Sequence, residues 1–113
     1  MSDRRPGDQI TFVRSEPSRE EAILAVVGPL LDENADEFQR ALDELLAGGS
    51  PIVTLDLSKV KAMASKPMGK IVFMKNRLRE KRREFRIRGC DAGLYQQFLM
   101  VKFDRIIDIS PQP

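Results

Sequence analysis

Ser65 is the residue of this chain with the clearest opportunity for chemistry. It stands where a helix is expected to begin, just ahead of Pro67, and a helix start offers free backbone N–H groups and the positive end of the helix dipole. An anion is stabilised there. A phosphate on Ser65 would bring about −1.5 to −2 charges at neutral pH, and Lys59, Lys61 and Lys66 are near in sequence to meet it. The plainer reading is that Ser65 caps the helix, the usual task of serine at such a position. Lys66, Met68 and Gly69 share the first turns with it. They form a candidate contact surface in which Gly69 admits a close partner, although Gly69 could equally serve packing of the helix on a sheet.

Little else points to catalysis. The 113 residues include no histidine and one cysteine, Cys90. The commonest general base and the commonest metal ligand are therefore missing, and with them the usual triads and zinc sites. No internal disulfide can form. No carboxylate pair, metal-ligand spacing or glycine-rich phosphate loop appears, and Asp56 has no acid partner in sight, so no catalytic residue, metal or cofactor is assigned. Cys90 reads as a small buried hydrophobe.

Charge is distributed unevenly. The net charge is only +2, but acids outnumber bases up to Ser65. From Lys66 to Arg88 the balance reverses: Lys66, Lys70, Lys75, Arg77, Arg79, Lys81, Arg82, Arg83, Arg86 and Arg88 face only Glu80 and Glu84. Such asymmetry suggests a contact surface. The run 75–88 reads first as a solvated helix face with its following turn. An acidic protein partner comes next, and nucleic acid or anionic lipid, with one aromatic in the run, comes last.

These residues need elements to hold them. Residues 1–8 are expected to be a flexible tail, 9–110 one domain, and 111–113 a second tail. Alternation of Ile10, Phe12 and Arg14 predicts a strand over Gln9–Arg14, and Glu21–Val27 predicts a second. Asn34 with Glu37 three residues on predicts a capping box, opening a helix that buries Phe38, Leu42, Leu45 and Leu46 and stops at Gly48-Gly49. Pro51–Leu57 follows as a buried strand. A second helix is expected from Lys66 or Pro67 to Arg82 or Arg83, with Met68, Ile71, Val72, Lys75 and Leu78 inward. Phe73 and Met74 lie off that stripe, either as core at its edge or as an exposed apolar patch beside Ser65, as an interface would need. Glu84–Arg88 is a short strand with Phe85 and Ile87 inward. Ala92–Val101 is a helix with Leu94, Phe98 and Val101 on one face, and Ile106–Ile109 is the last strand. The order β-β-α-β-α-β-α-β implies mostly parallel pairing in an α/β fold. No stretch approaches the roughly 18–20 apolar residues that cross a bilayer, and the polar start, Met1 to Gly7, does not read as a secretory signal. A cytoplasmic protein is expected.

Three stretches in this order resemble the STAS domain of bacterial anti-sigma-factor antagonists. Val27-Gly28-Pro29-Leu30 is similar to the strand-Gly-x-Leu run before that family's first helix. Ile52-Val53-Thr54-Leu55-Asp56-Leu57-Ser58-Lys59-Val60 is similar to its central strand. Gly93–Ile109, down to Phe103-Asp104-Arg105-Ile106-Ile107, is similar to its last helix and strand. The resemblance implies a four- to five-stranded mixed sheet with helices packed mainly on one side. It also implies a regulatory, non-catalytic module that binds an anti-sigma factor or serine kinase in a partner-switching pathway. The family's Asp-Ser-(Ser/Thr)-Gly-Leu motif falls on Ala64-Ser65-Lys66-Pro67-Met68, so Ser65 takes the place of the phosphorylated serine while its neighbours depart from the pattern. That departure keeps an alternative open, a non-phosphorylated STAS subunit of a membrane transport complex or a signalling scaffold. A nucleotide-binding role ranks below both.

Overall fold

A computed structural model describes residues 9–112. The tail expected at 1–8 and the terminal Pro113 lie outside the described residues. Five strands form one sheet in the order β1-β2-β3-β4-β5: β1 is Thr11–Ser15, β2 Glu21–Val27, β3 Ile52–Lys59, β4 Glu84–Cys90 and β5 Asp108–Pro111. β1 runs antiparallel to β2, and every later pair is parallel. Helices α1 (Ala35–Ala47), α2 (Ser65–Glu80) and α3 (Ala92–Met100) fill the connections. This is the mixed α/β sheet that the sequence implies.

The core follows from alternation. Residues two apart on a strand share a face, and Leu24, Leu55, Ile87 and Ile109 stand side by side in one register row. With Ala22, Val26, Val53, Leu57 and Phe85 they form the apolar face of the sheet. Phe38, Leu42 and Leu45 of α1, Ile71, Met74 and Leu78 of α2, and Leu94 and Phe98 of α3 belong to the same buried cluster. Phe12 lies parallel to Phe38 with ring centroids 6.1 Å apart. The rows between carry a different chemistry: Ser15, Ile23, Thr54, Arg86 and Asp108 align across all five strands.

Several expectations shift. Asn34 occupies the N-cap of α1 but makes no capping bond into it. Its Oδ1 instead accepts from the Leu31 N–H at 2.6 Å, closing the short 3-10 turn Asp32–Asn34 that leads into the helix. α2 ends at Glu80 and not at 82 or 83, because Arg82 adopts a left-handed backbone, φ 58°, that breaks the helical path. The buried stripe of α2 is Pro67, Ile71, Met74 and Leu78. It is rotated from the expected one: Met74 is core, Lys75 is half-buried and Phe73 is exposed. Val101 is exposed, not inward, since α3 stops at Met100 and Lys102 turns left-handed. A second 3-10 turn, Phe103–Arg105, then delays the last strand. Ile106 stays outside it, exposed, while Ile107 is buried. At the start, β1 begins two residues later than expected and includes Ser15, and Arg14 is exposed beside Glu16 at 2.8 Å.

Candidate functional site

Parallel strands deliver their following loops to one end of a sheet, where α/β proteins commonly place their sites. Here the loops after β2 and β3 meet. Gly28 leaves β2 with φ +117°, a conformation that L side chains rarely adopt, and a Cβ there would run into the carbonyl of Gln9. Leu30 and Met63 then form an isolated parallel bridge, and the Ala64 N–H donates to the Leu30 carbonyl at 2.8 Å. From α3, the Gln97 amide nitrogen donates to the Met63 carbonyl at 2.6 Å. The two loops are thus fastened to each other. Between them lies a groove of about 540 Å³ walled by Gly28, Pro29, Leu30, Leu31, Lys59 and residues 61–64.

α2 starts at the edge of this groove. Ala64 is its N-cap and has no side chain able to accept a bond. Ser65 is the first helical residue and is exposed, so the reading of Ser65 as the helix cap is overturned. The capping acceptor is Asp32, whose Oδ1 takes the backbone N–H of Lys66 at 2.9 Å. A carboxylate at this point satisfies one of the free N–H groups and complements the helix dipole. The anion position that makes Ser65 attractive for a phosphate is therefore already served by an acid from the preceding 3-10 turn.

The four residues expected to make the contact separate. Ser65, Lys66 and Gly69 are exposed, while Met68 is half-buried and packs on the core. Gly69 does not serve helix-sheet packing, because a Cβ added to it would meet nothing within 4 Å. One turn further along the same face stands Phe73, 49% exposed, with the Arg77 guanidinium 5.6 Å from its ring centroid. Ser65, Gly69, Phe73 and Arg77 are four apart in sequence and so line one exposed ridge.

Sequence reasoning missed Asp32, and of its two readings of Phe73, core edge or exposed patch beside Ser65, the second holds. Phe73 had a signal: Ile71, Met74 and Leu78 recur at i, i+3 and i+7, which leaves 73 outside. Asp32 had none, because its partner is 34 residues away.

The other singled-out residues are structural. Asp56 Oδ1 accepts from the Ser58 N–H at 2.9 Å, and Thr54 donates to Glu21 at 2.5 Å. Cys90 is fully buried, and burial first, then the nearby charge of Asp91, pushes its thiol up to about 12. Arg83, from the basic run, donates to the carbonyls of Ser50 at 2.7 Å, Leu46 at 2.9 Å and Leu45 at 3.0 Å, which closes the end of α1. Among the described residues no group of three or more acidic, histidine or cysteine side chains could hold a metal, and no helix is long and apolar enough to cross a membrane.

Residues 13–108 match the family profile of the Mlab-type STAS domain. The chain belongs to the STAS domain family. Solved structures carry the same fold. An anti-sigma factor antagonist from Mycobacterium paratuberculosis superposes with a TM-score of 0.85 at 18% identity, over 96% of this chain and 90% of that one. The TM1081 protein of Thermotoga maritima gives 0.79 at 25% identity, over 87% and 84%. A sulfate transporter family protein from Wolinella succinogenes gives 0.69 at 15% identity, over 80% and 74%. No curated protein sequence matches the chain. The same sheet and helices thus occur in an anti-sigma factor antagonist and in a sulfate transporter family protein.

Proposed function

We propose that this STAS domain is a non-catalytic regulatory module that binds a protein partner along the exposed ridge of α2. Ser65, Lys66, Gly69 and Phe73 make the contact, with Met68 behind them. The carrying observation is Gly69. A glycine inside a helix costs about 0.5–1 kcal/mol relative to alanine. Gly69 is helical, and no neighbour requires the missing Cβ. The fold itself gives no reason for a glycine there, whereas a partner backbone lying on the ridge does. The exposed Phe73 one turn on supplies the aromatic anchor that protein interfaces favour. In this reading the partner is an anti-sigma factor or related serine kinase, as the family resemblance suggests, and the setting is a bacterial cytoplasm.

A second reading has its own support. Because Asp32 already caps α2, a phosphate on Ser65 would sit beside a fixed carboxylate. This favours a partner held without phosphorylation, as in a subunit of a transport complex or a scaffold. Affinity capture from native lysate with the wild type, Ser65→Glu and Gly69→Arg tests both. The expected result is a partner bound by the wild type and lost from Gly69→Arg, which the open space at 69 allows to fold. Retention of every partner by Gly69→Arg would sink the ridge. Loss from Ser65→Glu identifies a switch, and retention identifies a fixed subunit.

A further inference from the structure

The far end of α2 carries a separate feature. Lys75, Arg79 and Arg82 lie on one flank of the helix and its following turn, and they border a polar depression of about 400 Å³ completed by Glu84, Arg86 and Asp108. Both carboxylates there are engaged. Glu84 pairs with Arg86 at 2.7 Å, and Asp108 pairs with Arg88 at 2.9 Å and lies 4.0 Å from Arg86. Lys75, Arg79 and Arg82 have no carboxylate within 4.0 Å among the described residues. Like charges one helical turn apart repel, so the isolated fold gains nothing from this trio.

The backbone adds an independent observation. Arg82 has φ 58°, at the left-handed position just past a helix where glycine or asparagine usually stands. Arginine is strained there, and its side chain makes no bond within the fold that would offset the strain. The turn around it is hydrogen-bonded on both sides. Arg83 is anchored by its three carbonyl contacts, and the Leu78 carbonyl takes the N–H groups of both Lys81 at 3.0 Å and Arg83 at 2.9 Å. That helix-end carbonyl, which would otherwise repel an anion, is already satisfied.

The geometry points to a binding site for a compact, multiply charged oxyanion of the phosphate-ester class, carried by a soluble ligand or by a lipid headgroup. A planar guanidinium fork matches the oxygens of a phosphate, and the lysine adds a point charge. The site faces away from the partner ridge, because Lys75 and Arg79 lie about half a turn round α2 from Phe73 and Arg77. The test uses pyrophosphate as the soluble probe, with amide resonances followed by NMR at low salt. Sedimentation with phosphatidylglycerol against phosphatidylcholine vesicles supplies the lipid arm.

The wild type should show saturable shifts confined to residues near 79–86 and 108. Arg82→Gly should bind about tenfold more weakly, as expected for loss of one charge-assisted contact, while its melting temperature rises. Arg77→Ser, on the other flank of the helix, should bind as the wild type does. Pyrophosphate binding alone assigns a soluble ligand, and vesicle binding displaced by pyrophosphate assigns a headgroup. Three outcomes overturn the site: no saturable binding of either probe, equal loss in Arg77→Ser and Arg82→Gly, or equal affinity for a glutamate-rich peptide.

Discussion

At Gly69, stability and contact are separable. Replacing it with alanine adds a methyl group to open space and removes backbone freedom from the unfolded chain. Gly69→Ala should therefore stabilise the domain by about 0.5–1 kcal/mol, read as a higher midpoint in urea unfolding. A fall in stability would mean that the helix needs the glycine, and the argument for an external contact would lose its basis. Residue identity told this much in advance: a serine, a lysine, a methionine and a glycine at the start of a helix mark a place to look. It could not tell that the serine stands one position inside the helix, because which residue caps α2 depends on Asp32 arriving from another turn.

Between elements, the decisive contacts are the ones that local pattern cannot express. Strand alternation and helical spacing located five strands and three helices, because burial of one face imposes those periods. The boundaries moved where a single backbone angle or a long-range bond intervened, as at Arg82 and at the turn Phe103–Arg105. Arg83 is the clearest case. In sequence it is one cation in a basic run, but in the fold it closes the end of α1 by holding two of its last carbonyls and that of Ser50. Arg83→Ala should destabilise the domain by about 1.5–3 kcal/mol, the range for hydrogen bonds from a charged donor, whereas Lys81→Ala on the exposed turn should change stability little. Thermal unfolding of the two variants checks the contrast, and equal effects would return Arg83 to the solvated surface.

Across the whole molecule, β5 is joined to the sheet by few residues, and charge reinforces the join. The hydrogen bond from Arg88, opposed in part by burial and helped by the charges of Arg88 and then Arg86, holds the Asp108 carboxyl below the usual carboxylate range. A carboxyl that is more acidic folded than unfolded adds stability at neutral pH. That contribution is lost as the pH falls through the folded value. Asp108→Asn should therefore flatten the acid side of the stability-versus-pH curve and leave its alkaline side unchanged. The effect is modest because the side chain is 60% exposed and screened by water. Chemical unfolding at a series of pH values would show it, and an unaltered acid limb in Asp108→Asn would refute it.

The strand order 1-2-3-4-5 bears on how the chain is made. Each strand joins the edge laid down just before it, so no early strand waits for a later one to be inserted beside it. A chain emerging from the ribosome with its N-terminus first can lay its sheet in order of synthesis. β3 has its first partner before α2 has been translated. The bridge between the two groove loops, Leu30 to Met63 with the Ala64 N–H, needs only residues up to 64, whereas the bond from Gln97 to Met63 waits for α3.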